Sequence, residues 1–358
     1  MFNFLLKKLL YSLLVIYGVL TIVFFLFNVL PGDPARMMLD KREDSEQLAV
    51  IKKKYGFDRP ILIQYLFYLN DLSPLSLHST DKDKFTYLDN SKYSAYKLIN
   101  LESLTIVLKK PYLRTSFVKS NFKVSSIIKN TFPNTFLLAF LAIVFGLTFG
   151  LIFGVFSALN KDSWLDRIIL YFSVLGMALP SFFSAIIIAW VFGYLLHSFT
   201  GLNMTGSLYE IDDYGIGRTI QFKNVILPAV TLGIRPLAVI IQLSRNSLLE
   251  VLSMDFIRTA KAKGLSRFVI IFKHAMWNSL NPVITAVSGW FASLLAGAVF
   301  VEYIFAWNGL GKEIVDALNN MDLPVVMGSV IFISLIFVII NILVDLLYAW
   351  IDPRVRIE

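Results

Sequence analysis

Polar and apolar positions along this 358-residue chain fall into long blocks rather than the short alternations of a soluble domain. Six stretches are apolar over about twenty residues, the length a helix needs to cross a bilayer. They lie at 9–30, 134–158, 167–196, 226–247, 281–303 and 325–350, and predict an all-α membrane protein of about six transmembrane helices. A long polar, aromatic and lysine-rich region follows the first span, and in it the alternation of SLTIVLKK predicts a short strand. Between the fourth and fifth spans lies MDFIRTAKAKGLSRFVIIFKHAMWNSLNP, from Met254 to Pro282. Phe256, Thr259 and Ala260 share a helical face there, Gly264 interrupts, and Ser266 is placed to cap a second amphipathic turn through Phe268, Ile271, Phe272 and Ala275. The pattern reads helix, glycine turn, helix. The chain thus divides into an N-terminal anchor (1–30), a loop region with an insert (31–133), a five-helix core containing the loop 248–280 (134–350) and a tail (351–358).

Composition supports the membrane reading, because 56% hydrophobic against 16% charged residues is more apolar surface than one soluble core buries. The net charge of +8 does not point to nucleic acid, since the basic residues gather at the ends of apolar blocks and in the polar insert. Lys7 and Lys8 before the first span, and Arg258, Lys261, Lys263, Arg267 and Lys273 in the loop, favour the cytoplasmic side. Six crossings then put both termini inside and 31–133 outside, a long loop being largely exempt from the charge rule. The start resembles a signal peptide, but no small-residue cleavage site follows, so it is expected to stay as an anchor. Pro31, Gly32 and Pro34 end that span.

Candidate chemistry is sparse. There is no cysteine for a disulfide or thiolate site, and His78, His197 and His274 are too scattered for a metal cluster. NGLGKE lacks the first glycine of a phosphate loop, and no nucleophile–base pair stands out, so neither catalytic residues nor a cofactor is expected. In the spans, Gly146, Gly150 and Gly154 recur every four residues, a stripe that lets helices approach closely. Pro180, Pro228 and Pro236 each remove a backbone donor and are expected to kink their helices. Arg235 lies in mid-span, where a charge costs at least a few kcal/mol unless it faces protein or water. It is expected to point inward, and Glu302, a backbone carbonyl and a substrate carboxylate all stay open as its partner. Asp345 and Asp352 sit near the inner end of the last span, within reach of headgroup water or Arg354, with no chain of acids to make a proton relay.

The loop around Gly264 resembles the cytoplasmic "EAA" loop of ABC importer permeases. That motif has Glu-Ala-Ala, three residues, then Gly; this chain has Arg258, Thr259, Ala260 and Gly264 in those places, and only the last two match. RTAKAKGL followed by HAMWN resembles the dipeptide, oligopeptide and nickel branch, in which the acidic position is commonly replaced. LPGDPARMM, with Tyr55, Gly56, Asp58, Pro60, Gln64 and Tyr65, resembles the same branch, as do NKDSWLDR and GMALPSFFSA. So does the final third, through Glu302, Phe305, Gly309, Gly311, Asp322, Pro324, Asn341, Asp345, Tyr348, Asp352, Pro353 and Arg354. One departure lies at Leu113–Ser116, where the family's turn usually contains a glycine and this chain has none. The resemblance implies a multi-pass permease subunit in the inner membrane, importing peptides, or nickel or another small solute. Its implied partners are a second permease subunit (a related chain or a copy), two cytoplasmic ATPase subunits, an extracytoplasmic solute-binding protein and membrane lipid. Arg258, Thr259, Ala260, Lys261, Lys263, Gly264, Leu265 and His274 form the implied ATPase-coupling loop, with Ala260 facing the ATPase groove. A stand-alone ion-coupled carrier is the rival reading, but no repeat between halves supports it.

Overall fold

The computed structural model describes residues 2–29, 45–81, 84–89, 92–119, 122–211 and 217–351. Pro31, Gly32 and Pro34 lie outside the described residues, as do Asp352, Pro353, Arg354 and the rest of the tail, and the side chains of Asp345 and Tyr348. Helices come in the order α1 (Phe2–Val29), α2 (Ser45–Tyr55), α3 (Ile61–Leu72), α4 (Val124–Leu159) and α5 (Trp164–Ala178). Next are α6 (Ser181–Leu195, π-wound over Ala189–Leu195), α7 (Lys223–Leu252), α8 (Asp255–Ala262) and α9 (Arg267–Ser279, π-wound over Ile270–Ala275). Then follow α10 (Asn281–Gly297), α11 (Val299–Ile304), α12 (Leu310–Asn319) and α13 (Leu323–Ile351). Among the described residues four helices are long and apolar enough to cross a membrane, or six if each of two bent pairs makes one span.

The third expected span departs most from its prediction. Pro180 does not kink a continuous helix; α5 ends at Ala178, Pro180 caps the start of α6, and the two helices are bent by 110°. Pro forces the preceding residue out of the helical region, and Leu179 is extended (φ −77°, ψ 131°). Pro228 and Pro236 instead lie inside one unbroken helix, α7. The fifth span, expected at 281–303, is α10 with the separate helix α11 after Ala298, and α10 is bent by 50° from α9 before it.

The contacts group the residues differently from the four segments read in the sequence. One compact unit draws on Met1–Leu9, Thr131–Val315 and Leu335–Glu358, the other on Leu10–Asn130 and Asp316–Ser334. In the second unit, Val23 and Phe24 of α1 pack with Tyr65, Tyr68 and Leu72 of α3 and Met327 of α13. An antiparallel sheet, order β1 (Leu75–Ser79), β3 (Leu104–Lys109), β2 (Ala95–Asn100), stands beside them, so all-α holds for the spans and not for the insert. The strand predicted in SLTIVLKK is β3. Ser76, His78, Thr105, Val107 and Lys109 are buried on one face of the sheet, while Leu75, Leu77, Tyr96 and Leu108 are exposed on the other. The insert, polar and lysine-rich by composition, thus shows an apolar face. A further hairpin, β4 (Tyr209–Ile211) with β5 (Arg218–Ile220), lies in the first unit.

The turn that lacks the family's glycine forms nonetheless, with Arg114 adopting φ +65°. Its side chain is held there: Nε bonds Asp71 Oδ2 at 3.0 Å and the guanidinium lies over the Tyr68 ring at 5.2 Å. Buried Asp71 also accepts from the Tyr93 hydroxyl at 2.7 Å, and its backbone carbonyl accepts from Lys109 Nζ and from the Tyr112 amide. Burial lowers the Lys109 ammonium to about 8, with Asp71 opposing the shift. Downstream, Asp322 accepts from the Ser116 hydroxyl and from the Phe117 amide at 3.0 Å. Of the other residues that carried the resemblance, Gly56 takes φ +74° and Gln64 ties that turn to α3 through the Arg59 carbonyl at 2.7 Å.

Candidate functional site

In the first unit the expected glycine stripe is the seam between α4 and α7. A Cβ on Gly146 would come within 3.1 Å of the Leu237 amide, one on Gly150 within 2.7 Å of Ile240 Cγ2, and one on Gly154 within 2.9 Å of the Ile241 carbonyl. The approach is mutual, since a Cβ on Gly233 of α7 would meet the Ala142 carbonyl at 2.7 Å. Lipid offers no hydrophobic reason for helices to associate, so close backbone contact takes its place.

That seam sets the position of the loop following α7. α8 ends in a Schellman arrangement: the Gly264 amide bonds the Lys261 carbonyl at 3.0 Å, the Leu265 amide bonds the Ala260 carbonyl at 3.3 Å, and Gly264 takes φ +73°. Ser266 caps α9 by accepting from the Val269 amide. Helix, glycine turn and helix therefore stand where the sequence placed them. The inward face differs from the prediction. Ala260 does not face outward; with Ile257 it is buried against Ala158, Leu248, Val251, Ile270 and Ala275 of the same chain. Phe256 and Thr259, expected on the face of Ala260, are exposed, because the covered side passes through positions 257 and 260. Ile271 and Ala275 of the second turn are buried, whereas Phe268 and Phe272 stack on each other at 4.5 Å with 69% and 46% of their surface open. The outer surface of the loop is then Phe256, Arg258, Thr259, Lys261, Lys263, Leu265 and Phe268. Arg258 pairs with Asp255 at 3.2 Å in open solvent, a contact worth little. His274 is half-buried, and its carbonyl accepts from Asn278 at 2.7 Å. A groove of about 540 Å³ opens beside the loop, lined by Leu159, Leu252, Lys261, Leu265, Arg267 and Ile271 among others.

Arg235 and Glu302 are not brought together. Glu302 is fully buried, and its Oε2 accepts from the amides of Gly311 at 2.7 Å and Lys312 at 3.2 Å, closing the N-terminus of α12. Gly309 and Gly311 are needed for this, because a Cβ on either would stand 2.3–2.8 Å from the carboxylate. Trp307, also buried, donates from Nε1 to the Asn134 carbonyl at 3.1 Å. Arg235 is instead exposed, its guanidinium 6.0 Å from the centre of the Trp290 ring.

One polar cluster escaped the sequence reading. Arg245 of α7 grips Asp166 of α5 with both arms, Nε to Oδ1 at 2.8 Å and Nη2 to Oδ2 at 2.7 Å. The Ser157 hydroxyl and the Asp162 amide donate to the same carboxylate. An arginine inside a predicted span and an aspartate at the edge of another were the available signal, since intramembrane charges seek each other. Among the described residues no group of acids and histidines is arranged to hold a metal.

A membrane bundle with a capped basic loop between two of its helices defines a class that the comparisons specify. The chain belongs to the family of binding-protein-dependent transport system inner membrane components, the permeases of ABC importers: residues 150–357 match that family and residues 1–80 match its N-terminal region. Such subunits are not themselves enzymes, and ATP hydrolysis lies in partner subunits. The chain is 32% identical to the dipeptide transport system permease protein DppB of Bacillus subtilis, over 94% of this chain and 92% of that one. It is 29% identical to DppB of Alkalihalophilus pseudofirmus over 99% and 100%. The fold is similar to that of a chain in the inward-facing MetNI methionine ABC transporter, with a TM-score of 0.50 and 16% identity over 64% of this chain and 97% of that one.

Proposed function

We propose that this chain is the membrane-path subunit of a peptide importer, with α8 and α9 as the element that receives the ATPase stroke. The carrying observation is the loop itself: a Schellman-capped helix, braced from within by Ile257 and Ala260, presents Phe256, Arg258, Lys261, Lys263, Leu265 and Phe268 outward. A rigid element with an exposed mixed apolar and basic face suits docking to a separate protein, and a chain of this family requires one. The peptide assignment rests on the names of the relatives. The assembly comprises a second permease subunit, related or identical, two cytoplasmic ATPase subunits and an extracytoplasmic solute-binding protein. The chain lies in the inner membrane with six crossings, taking each bent pair as one span, and with both termini in the cytoplasm.

Two measurements test this. Lys261→Glu with Lys263→Glu leaves the internal bracing untouched, so the protein should accumulate normally while co-purification of the ATPase subunits and ATP-dependent peptide uptake fall together. Unchanged recruitment and uptake would remove the docking role. For orientation, Tyr96→Cys, at a position 79% exposed, should react with an impermeant thiol reagent in intact cells, and Lys261→Cys only after the membrane is opened. The reverse pattern would invert the topology.

A further inference from the structure

Arg235 occupies the middle of α7 and is exposed on this chain, so its charge is neither folded inward nor neutralised by a neighbour. Among the described residues it has no hydrogen-bond acceptor and no acidic partner; Glu302, the acidic partner the sequence left open, has its Oε2 committed to the amides of Gly311 and Lys312. What the fold supplies is an aromatic backing, the Trp290 ring at 6.0 Å. A ring on one face of a guanidinium is attractive and orients the group, yet uses none of its N–H donors.

The rest of the same side of α7 is also unlike a lipid-facing surface. Gln242 and Asn246 follow Arg235 by seven and eleven residues, within roughly 20° of its direction at 100° per residue. Asn246 is exposed and Gln242 half-buried, its amide reaching Ser173 Oγ and Met177 Sδ at 3.4 Å. Gln242 is thus used between α7 and α5, and Asn246, at the inner end of the span, accepts from Arg245 at 3.2 Å; the unpartnered charge is Arg235, which is too costly for contact with hydrocarbon and marks a face that meets water or solute.

Resting on the reading as a peptide permease, we propose that Arg235 is a carboxylate-recognition point within the path, where its guanidinium, set by Trp290, engages the C-terminal carboxylate of a passing peptide. The planar fork of arginine matches a carboxylate through two parallel N–H···O bonds, a geometry that lysine does not reproduce. A single such point is compatible with passage, because a path must bind well enough to admit a solute and weakly enough to release it.

The test uses the complete transporter in proteoliposomes, with its binding protein saturated by either a dipeptide or the same dipeptide as its C-terminal amide. Since the binding protein is identical throughout, a change in the acid-to-amide uptake ratio between permease variants belongs to the permease. Arg235→Gln should lower that ratio by roughly tenfold or more, as expected for loss of a charge-assisted hydrogen bond, chiefly by losing uptake of the acid. Arg235→Lys, which keeps the charge and guards against a variant that fails to assemble, should raise KM for the acid with kcat little changed. Trp290→Leu should move the ratio in the same direction as Arg235→Gln. Ratios and KM equal to wild type in both arginine variants would overturn the proposal. If uptake of the acid falls no more than uptake of the amide, Arg235 braces a neighbouring subunit and is not a carboxylate site. Should the wild-type assembly import neither peptide with ATP, the peptide reading itself fails, an outcome separable from the others.

Discussion

The glycines of α4 and the glycine at 264 carry the same residue for opposite reasons. Along α4, Gly146, Gly150 and Gly154 have ordinary helical backbones and no room, since any side chain would enter α7. At Gly264 there is room and no ordinary backbone, because nothing lies within 4 Å of an added Cβ but φ is +73°. The first kind answers to sterics across a seam, the second to the torsion of one residue. Arg114 extends the lesson, for at φ +65° it shows that a left-handed turn survives without glycine when Asp71 and Tyr68 anchor the side chain. Nothing comparable surrounds Gly264.

This contrast yields predictions of graded size. Gly154→Val should be the most damaging, because its Cβ would lie 2.9 Å from the Ile241 carbonyl and would overlap Ser244 Oγ. The overpacking cost should reach about 3 kcal/mol or more, read as loss of folded protein and a collapsed melting temperature in detergent. Gly150→Ala adds one methyl 2.7 Å from Ile240 Cγ2 and 2.8 Å from its Cβ, which α7 relieves only by shifting, and should cost about 1–3 kcal/mol in the same melt. Gly264→Val should cost roughly 1–2 kcal/mol locally, leaving folded protein nearly unchanged while weakening ATPase co-purification. Gly264→Asn should recover most of that recruitment, because Asn tolerates the left-handed region, whereas Gly154→Asn should rescue nothing. Equal rescue at both positions would erase the distinction. Smallest is Gly18→Ala in α1, where no atom lies within 4 Å and φ is not positive; the melt should move by no more than about 0.5 kcal/mol.

The same contrast explains what the sequence could tell. Apolar blocks reveal spans because the bilayer demands length, and four of the six expected stretches each overlap a single helix, with the third divided between α5 and α6 and the fifth between α10 and α11. Pro180 was legible as a disturbance, but whether a proline bends a helix or ends it depends on what packs around it. The Schellman turn was legible because its signals are local, a glycine after basic residues and a serine two positions on. The inward face of α8 was not, since spacing alone fits 256 with 260 as well as 257 with 260, and only the neighbours on α4, α7 and α9 decide. β1 (LSLHS) alternates like β3 but is only five residues long, β2 (AYKLIN) does not alternate, and their pairing is a tertiary fact. Arg235 was legible as an expensive charge, while the absence of a partner from Glu302 required the fold.

The Asp166–Arg245 clamp has a consequence for the order in which the chain is made. Its two halves stand 79 residues apart, so during synthesis the aspartate emerges well before the arginine that holds it. At about 5–20 residues per second the interval is roughly 4–16 s. Throughout that time the hairpin from α4 into α5 carries a carboxylate held only by Ser157 and Asp162. Arrival of α7 closes the glycine seam and the clamp together, which makes α7 the timekeeper of assembly: until it is inserted, the two helices before it lack both the seam and the clamp.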